Sequence, residues 1–171
     1  MKTIVLLYNT SCIYEIVILN YFLKYSGIDA EFVSPDGNPI TAMEGYSIQV
    51  SDKLTAIDAG SIDLMIIPGG SIEEIDVPTV WKYLQEVNHH NGLIAAICAG
   101  VDVLEHAGIL DGIISTHSSE LDVAVDGNII TSRANGYVDF AIEAARKLGL
   151  FKDEQDLQES IAFWRNHQRM Q

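Results

Sequence analysis

The sequence predicts an α/β fold, with a mostly parallel sheet and helices on both faces. Continuous apolar runs of strand length, Thr3–Tyr8, Ser61–Ile67 and Leu93–Ile97, are the signature of parallel strands buried on both sides. Segments of helical periodicity alternate with them, and a hairpin signal follows late in the chain.

In chain order, Thr3–Tyr8 is the first buried strand. Asn9, Thr10 and Ser11 make a polar turn with N-cap candidates, and a helix follows over about 13–25, closed by Gly27. That helix is apolar almost all round, which predicts a central element or half of a homodimer interface. Glu15 interrupts the pattern; its plain reading is a first-turn acid complementing the helix dipole. Ala30–Ser34 reads as a second strand, Pro35–Pro39 as a turn cluster, and Tyr46–Val50 as an edge strand or part of a hairpin. Ser61–Ile67 ends in Pro68-Gly69-Gly70, where backbone N–H groups can point freely into a site. Asp76, with Pro78 near N1, opens the next helix. Gly112–Thr116 predicts a strand ending at His117. Leu121–Val125 and Asn128–Ser132 flank Asp126-Gly127, a hairpin signal. Tyr137–Leu148 is a helix stopped by Gly149, and Asp153 caps a last amphipathic helix through Leu157, Ile161 and Trp164.

The 171 residues suffice for one domain over 1–171. Apolar runs such as Ile4–Leu7 are far too short to span a membrane, and the N-terminus resembles a signal peptide only superficially. A cytoplasmic protein is expected. The net charge of −14 argues against nucleic acid or an anionic membrane as partner. Two cysteines, Cys12 and Cys98, make no disulfide framework and fit a reducing compartment.

The chemistry centres on Gly92–Ala107. The strand Leu93–Ile97 ends on Cys98, and Ala99 and Gly100 lead into a helical pattern closed by Gly108. A strand running straight into a helix forces a sharp turn that presents the joining side chain at the C-terminal edge of the sheet, a nucleophile elbow. The helix N-terminus is expected to lower the thiol pKa. The bland alternative for Cys98 is a small buried hydrophobe. Glu15, Gly69, Gly70 and His117 fall in loops expected at the same edge, where sites of open parallel sheets gather. A thiolate there could attack an electrophilic carbon, with the N–H groups of Gly70 and Ala99 receiving the oxyanion. Gly69 and Gly100 would support that geometry. Glu15 could hydrogen-bond the sulfur and move protons, and His117 could polarise substrate or relay protons. The remaining histidines read as surface or helix-end residues, and no pair has metal spacing, so no metal is expected.

These residues resemble the DJ-1/PfpI family, within the class I glutamine amidotransferase-like, flavodoxin-like three-layer folds. GLIAAICAG at 92–100 is similar to the DJ-1 branch; IIPGG at 66–70, STH at 115–117 and ITSRANGYVDFA at 130–141 follow in the family's order. The resemblance covers essentially the whole chain. It implies that Glu15 contacts the elbow cysteine. Members include glyoxalases, deglycases, isocyanide hydratases, peptidases, chaperones and oxidation sensors. Peptidase-type members place His, and isocyanide hydratases Thr, where Ala99 stands, and no late His-x-Glu pair follows Cys98. Protease and glutamine amidotransferase activity are therefore not expected. The segment after His117 is short, Ser118–Asp122, which implies a more open pocket.

The expectation is a small cofactor-free cysteine enzyme acting on a small electrophile, a reactive carbonyl such as methylglyoxal, through Cys98 with Glu15 as proton donor and acceptor. The alternatives are a redox-sensing or chaperone-like stress protein with an oxidisable Cys98, or a hydrolase or hydratase of another small electrophile. Cys12 is either packing or a resolving thiol.

Overall fold

The computed structural model describes residues 1–169. Its strands are β1 (Thr3–Leu6), β2 (Ala30–Ser34), β3 (Ile40–Thr41), β4 (Ser47–Ile48), β5 (Asp52–Lys53), β6 (Leu64–Ile67), β7 (Leu93–Ile97), β8 (Val123–Asp126) and β9 (Ile129–Ser132). Its helices are α1 (Val17–Tyr25), α2 (Pro78–His89), α3 (Gly100–His106), α4 (Tyr137–Lys147) and α5 (Glu154–Ser160). Seven strands form one sheet in the order β5-β2-β1-β6-β7-β9-β8, parallel except for β8 against β9. β3 and β4 pair separately as a short antiparallel hairpin.

The continuous apolar strands do what such strands must when both faces are covered. Along β1, Ile4 and Leu6 pack into a core shared with α2 and α3, while Val5, and Leu7 just past the strand, pack into a core shared with α1 and α4. The late hairpin turns through Gly127, at φ 55, and Asn128, one residue beyond the expected pair.

Four details differ from the sequence reading. No strand forms at Gly112–Thr116, because β9 already occupies the place beside β7. The Thr116 N–H is taken instead by the Thr131 hydroxyl at 3.0 Å, and Ile114 is exposed. The first helix begins at Val17; Ile13–Glu15 is a 3-10 turn, closed by Ile16, whose N–H bonds the Ile13 carbonyl. Glu15 therefore lies on a tight turn aimed inward and does not complement the dipole of α1. Asp76 does not cap α2, since Val77 holds that position; its carboxylate accepts from Trp81 Nε1 at 2.8 Å and bonds His106 Nδ1 at 2.9 Å.

Candidate active site

β7 passes directly into α3 at Cys98, whose φ of 55 is the left-handed conformation that L-residues avoid. Two backbone bonds hold it there. The Cys98 N–H donates to the Ser132 carbonyl at 2.8 Å, prolonging the β7–β9 ladder, and its carbonyl accepts from Val101 at 3.0 Å, opening the helix. Gly100 permits the turn: a Cβ there would stand 2.5 Å from the Ile67 carbonyl oxygen.

Glu15 comes to the same point from the loop after β1. It is buried, and its Oε2 accepts from the Gly69 N–H at 2.7 Å. Burial holds its pKa above the ordinary carboxylate range; hydrogen bonds from Gly69, Cys98 and Tyr14 pull the other way. The loop Asn9–Cys12 is stitched to the Gly-Gly turn: Cys12 N–H to the Gly69 carbonyl at 2.9 Å, and Ser71 N–H to Thr10 Oγ1 at 2.8 Å. Gly70 is required beneath that seam, because a Cβ would fall 2.5 Å from the Thr10 carbonyl oxygen. The buried Tyr8 hydroxyl donates to the Pro68 carbonyl at 2.9 Å and fixes the start of the turn.

The thiol pKa does not follow the expected lowering. Burial pushes Cys98 up and the nearby Glu15 carboxylate adds to it, while the Ala99 N–H favours the thiolate. α3 spans only seven residues, a short helix to oppose those two effects. The two groups are coupled: an ionised Glu15 holds the Cys98 thiol in its protonated form, and neutralising Glu15 removes that part of the penalty on the thiolate.

The structure gathers Cys98, Glu15, Gly69, Gly70, Ala99 and Gly100. It spends the Gly69 N–H on Glu15, so that group is not an open donor. His117 has other partners: Nδ1 bonds Glu105 Oε2 at 2.6 Å, and Nε2 lies 3.3 Å from Asp102 Oδ1. Although sequence spacing gave no metal set, Asp102, Glu105 and His117 bring one ligand atom each within 4.8 Å of one another. That set could hold a divalent cation, but it is a surface group in which His117 already spends both nitrogens on carboxylates. Tyr14 escaped the sequence reading. Its hydroxyl lies 3.3 Å from Glu15 Oε1, and its ring packs edge-on against Tyr137 with centroids 5.8 Å apart. Adjacency to Glu15 was the only signal for it.

A model of the DJ-1/PfpI family matches residues 1–147. The chain belongs to the DJ-1/PfpI family. A Parkinson disease protein 7 homolog from Danio rerio is 34% identical over 108 residues, which cover 52% of this chain and 57% of that protein. The glutathione-independent glyoxalase DJR-1.2 from Caenorhabditis elegans is 25% identical over 150 residues, 78% of this chain and 81% of the relative. Deglycase TK1284 from Thermococcus kodakarensis is 26% identical over 141 residues, 71% and 83% of the two chains. Among solved structures, the DJ-1 superfamily protein Atu0886 from Agrobacterium tumefaciens superposes with a TM-score of 0.86 at 25% identity, covering 98% of this chain and all of that one. No helix among the described residues is long and apolar enough to cross a membrane.

Proposed function

We propose that the protein is a cofactor-free cysteine enzyme that converts a reactive carbonyl such as methylglyoxal into a hydroxy acid. The observation that carries this reading is the buried Glu15 carboxyl, held by Gly69 against a thiol on a strained elbow. The names glyoxalase and deglycase among relatives support the same class.

The Cys98 thiolate adds to the aldehyde carbon, and protonated Glu15 delivers a proton to the new alkoxide, giving a hemithioacetal. The N–H groups of Ala99 and Gly70 steady the transient oxyanion. Glu15, now a carboxylate, removes the former aldehyde hydrogen; the electron pair moves to an enediol, and the proton returns to the neighbouring carbon. The aldehyde carbon is oxidised to a thioester as the ketone carbon is reduced, so no outside oxidant is consumed. Water cleaves the thioester, releasing lactate and the thiol. Tyr14 positions Glu15, and His117 is given no step.

Conversion of methylglyoxal to lactate without glutathione or added metal tests this. Wild type should turn over, and Cys98→Ser should fall to background; an inactive wild type overturns the reading. One alternative draws on the same pair: a protonated Glu15 and the Ala99 N–H would also hold a sulfinate on Cys98. Limiting peroxide would then add the mass of two oxygen atoms at Cys98. A Cys12–Cys98 disulfide after such treatment would mark Cys12 as a resolving thiol. Two free thiols suit a reducing, cytoplasmic setting. We also propose a homodimer through the first helix, supported by Val17, Tyr21 and Tyr25, which are exposed along it at a four-residue spacing; a one-chain mass at micromolar concentration overturns it.

A further inference from the structure

The loops that assemble the Cys98 site are one-sided in charge. Segments 7–16, 68–77 and 98–122 supply Cys98, Glu15, the Gly-Gly turn and the loop after α3, and they contain no lysine or arginine. The same segments hold Glu15, Glu73, Glu74, Asp102 and Glu105.

Hydrogen bonds fix several carboxylates at this edge. Glu44, in the turn between β3 and β4, accepts from the Tyr14 N–H at 2.8 Å, and the Met43 N–H ties that turn to the Ser11 carbonyl at 3.0 Å. Glu74, just past the Gly-Gly turn, accepts from Asn9 Nδ2 at 2.9 Å. Asp102 stands in the first turn of α3, four residues beyond Cys98. Burial is the largest cause of the raised pKa of both Cys98 and Glu15, and negative charge adds to it: Glu15 and Asp102 act on Cys98, and Glu44 acts on Glu15.

The cations that reach this edge are already matched. Arg133 follows Ser132, the register partner of Ile97, so it leaves the sheet beside Cys98. Its guanidinium has Glu120 at 3.9 Å and Asp122 at 3.8 Å. His117 turns its two nitrogens to Glu105 and Asp102. A cleft lined by one sign of charge concentrates ligands of the opposite sign and depletes those of its own. The net charge of −14 acts in the same direction.

We propose that the Cys98 site selects its substrate by charge: it takes neutral or ammonium-bearing 2-oxoaldehydes and excludes those that carry a carboxylate, with Asp102 and Glu44 as specificity-determining residues. The choice of 2-oxoaldehydes rests on the carbonyl chemistry proposed above. That reaction turns a neutral dicarbonyl into a hydroxy acid anion, so the field that admits the substrate also expels the product.

Two measurements on the full chain test this. The first compares kcat/KM for 4,5-dioxopentanoate and its methyl ester, which share the reacting atoms and differ by one carboxylate. The ester should be favoured by at least about tenfold at low salt. The second reads the field without turnover, as the rate of labelling at Cys98 by methanethiosulfonates bearing an ethyltrimethylammonium, a methyl or an ethylsulfonate group. Rates are followed by peptide mass and normalised to those of 2-mercaptoethanol. The cation should outpace the sulfonate by at least about tenfold, and the gap should close near about 1 M salt, where charges are screened within about 3 Å. Asp102→Asn with Glu44→Gln should narrow the gap severalfold. Asp29→Asn with Glu31→Gln, which removes the same charge at the opposite edge of the sheet, should leave it unchanged. Equal normalised rates at low salt, faster labelling by the sulfonate, or equal effects of the two double variants overturn the charge selection, as does equal turnover of acid and ester. Labelling that follows charge in a protein that turns over neither compound upholds the selection and overturns the carbonyl chemistry alone.

Discussion

The Gly69 N–H donates to Glu15 Oε2 at 2.7 Å, and the same glycine leaves the gap in which acid and thiol meet. A Cβ at Gly69 would lie 2.7 Å from Cys98 Cβ and 2.9 Å from both Cys98 Sγ and Glu15 Oε2. Gly69→Ala should therefore force the pair apart. Overpacking of this kind costs about 1–3 kcal/mol, and a displacement near 1 Å at reacting groups costs about 10²-fold in rate. Denaturant unfolding and methylglyoxal turnover read the two effects. Wild-type activity in this variant would show that the close approach is unimportant.

Glu15 links stability to pH. Burial raises its folded pKa above the unfolded value, so the native state holds the proton more tightly. The stabilisation tied to that proton is complete below the unfolded carboxylate pKa and is lost as pH rises through the folded one. Glu15→Gln removes this slope and keeps an acceptor for Gly69. Its Tm should exceed that of wild type at neutral pH, and the gap should shrink as the medium is acidified. A gap that does not change with pH would mean that Glu15 is already ionised in the folded protein. Turnover of this variant should be severely reduced at every pH.

Cys98 carries strain that can be released without touching the surroundings. A non-glycine residue at φ 55 costs on the order of 1–3 kcal/mol, partly offset in glycine by unfolded-state entropy. Cys98→Gly should therefore unfold at higher denaturant than Cys98→Ala, by roughly 1 kcal/mol, with both inactive. Equal midpoints would mean that the elbow relaxes when the sulfur is removed.

The elbow and the Gly-Gly turn were legible because strand, small residues and helix follow one another without interruption. Glu15 was legible as the one acid in an apolar segment, but its role was not. A tight turn in place of a first helical turn decides where its carboxylate goes, and that depends on Gly69, 54 residues away. Ile113 and Ile114 have strand character, yet β9 holds the place beside β7, and tertiary pairing overrides propensity. The partners of His117 follow from how its loop folds over α3, which no local pattern encodes.

Tyr14 should tune the acid. Its bond to Glu15 Oε1 at 3.3 Å favours the carboxylate, so Tyr14→Phe should raise the Glu15 pKa further. The limb of the pH–rate profile governed by Glu15 should move to higher pH, with kcat lowered severalfold and KM little changed. An unshifted profile would reduce Tyr14 to packing against Tyr137.

His117 separates the loop from the chemistry. Its nitrogens face Glu105 and Asp102, whose side chains are 56% and 43% exposed. Exposed pairs of this kind contribute about 0–1 kcal/mol, and salt screens them further. His117→Ala should leave methylglyoxal turnover within about threefold of wild type and lower stability by no more than that range. A rate loss of 10²-fold or more is the size expected for removing a general acid or base. That result would mean that the imidazole leaves Glu105 and Asp102 for the substrate during turnover, and Asp102→Asn with Glu105→Gln should then accelerate the reaction by releasing it.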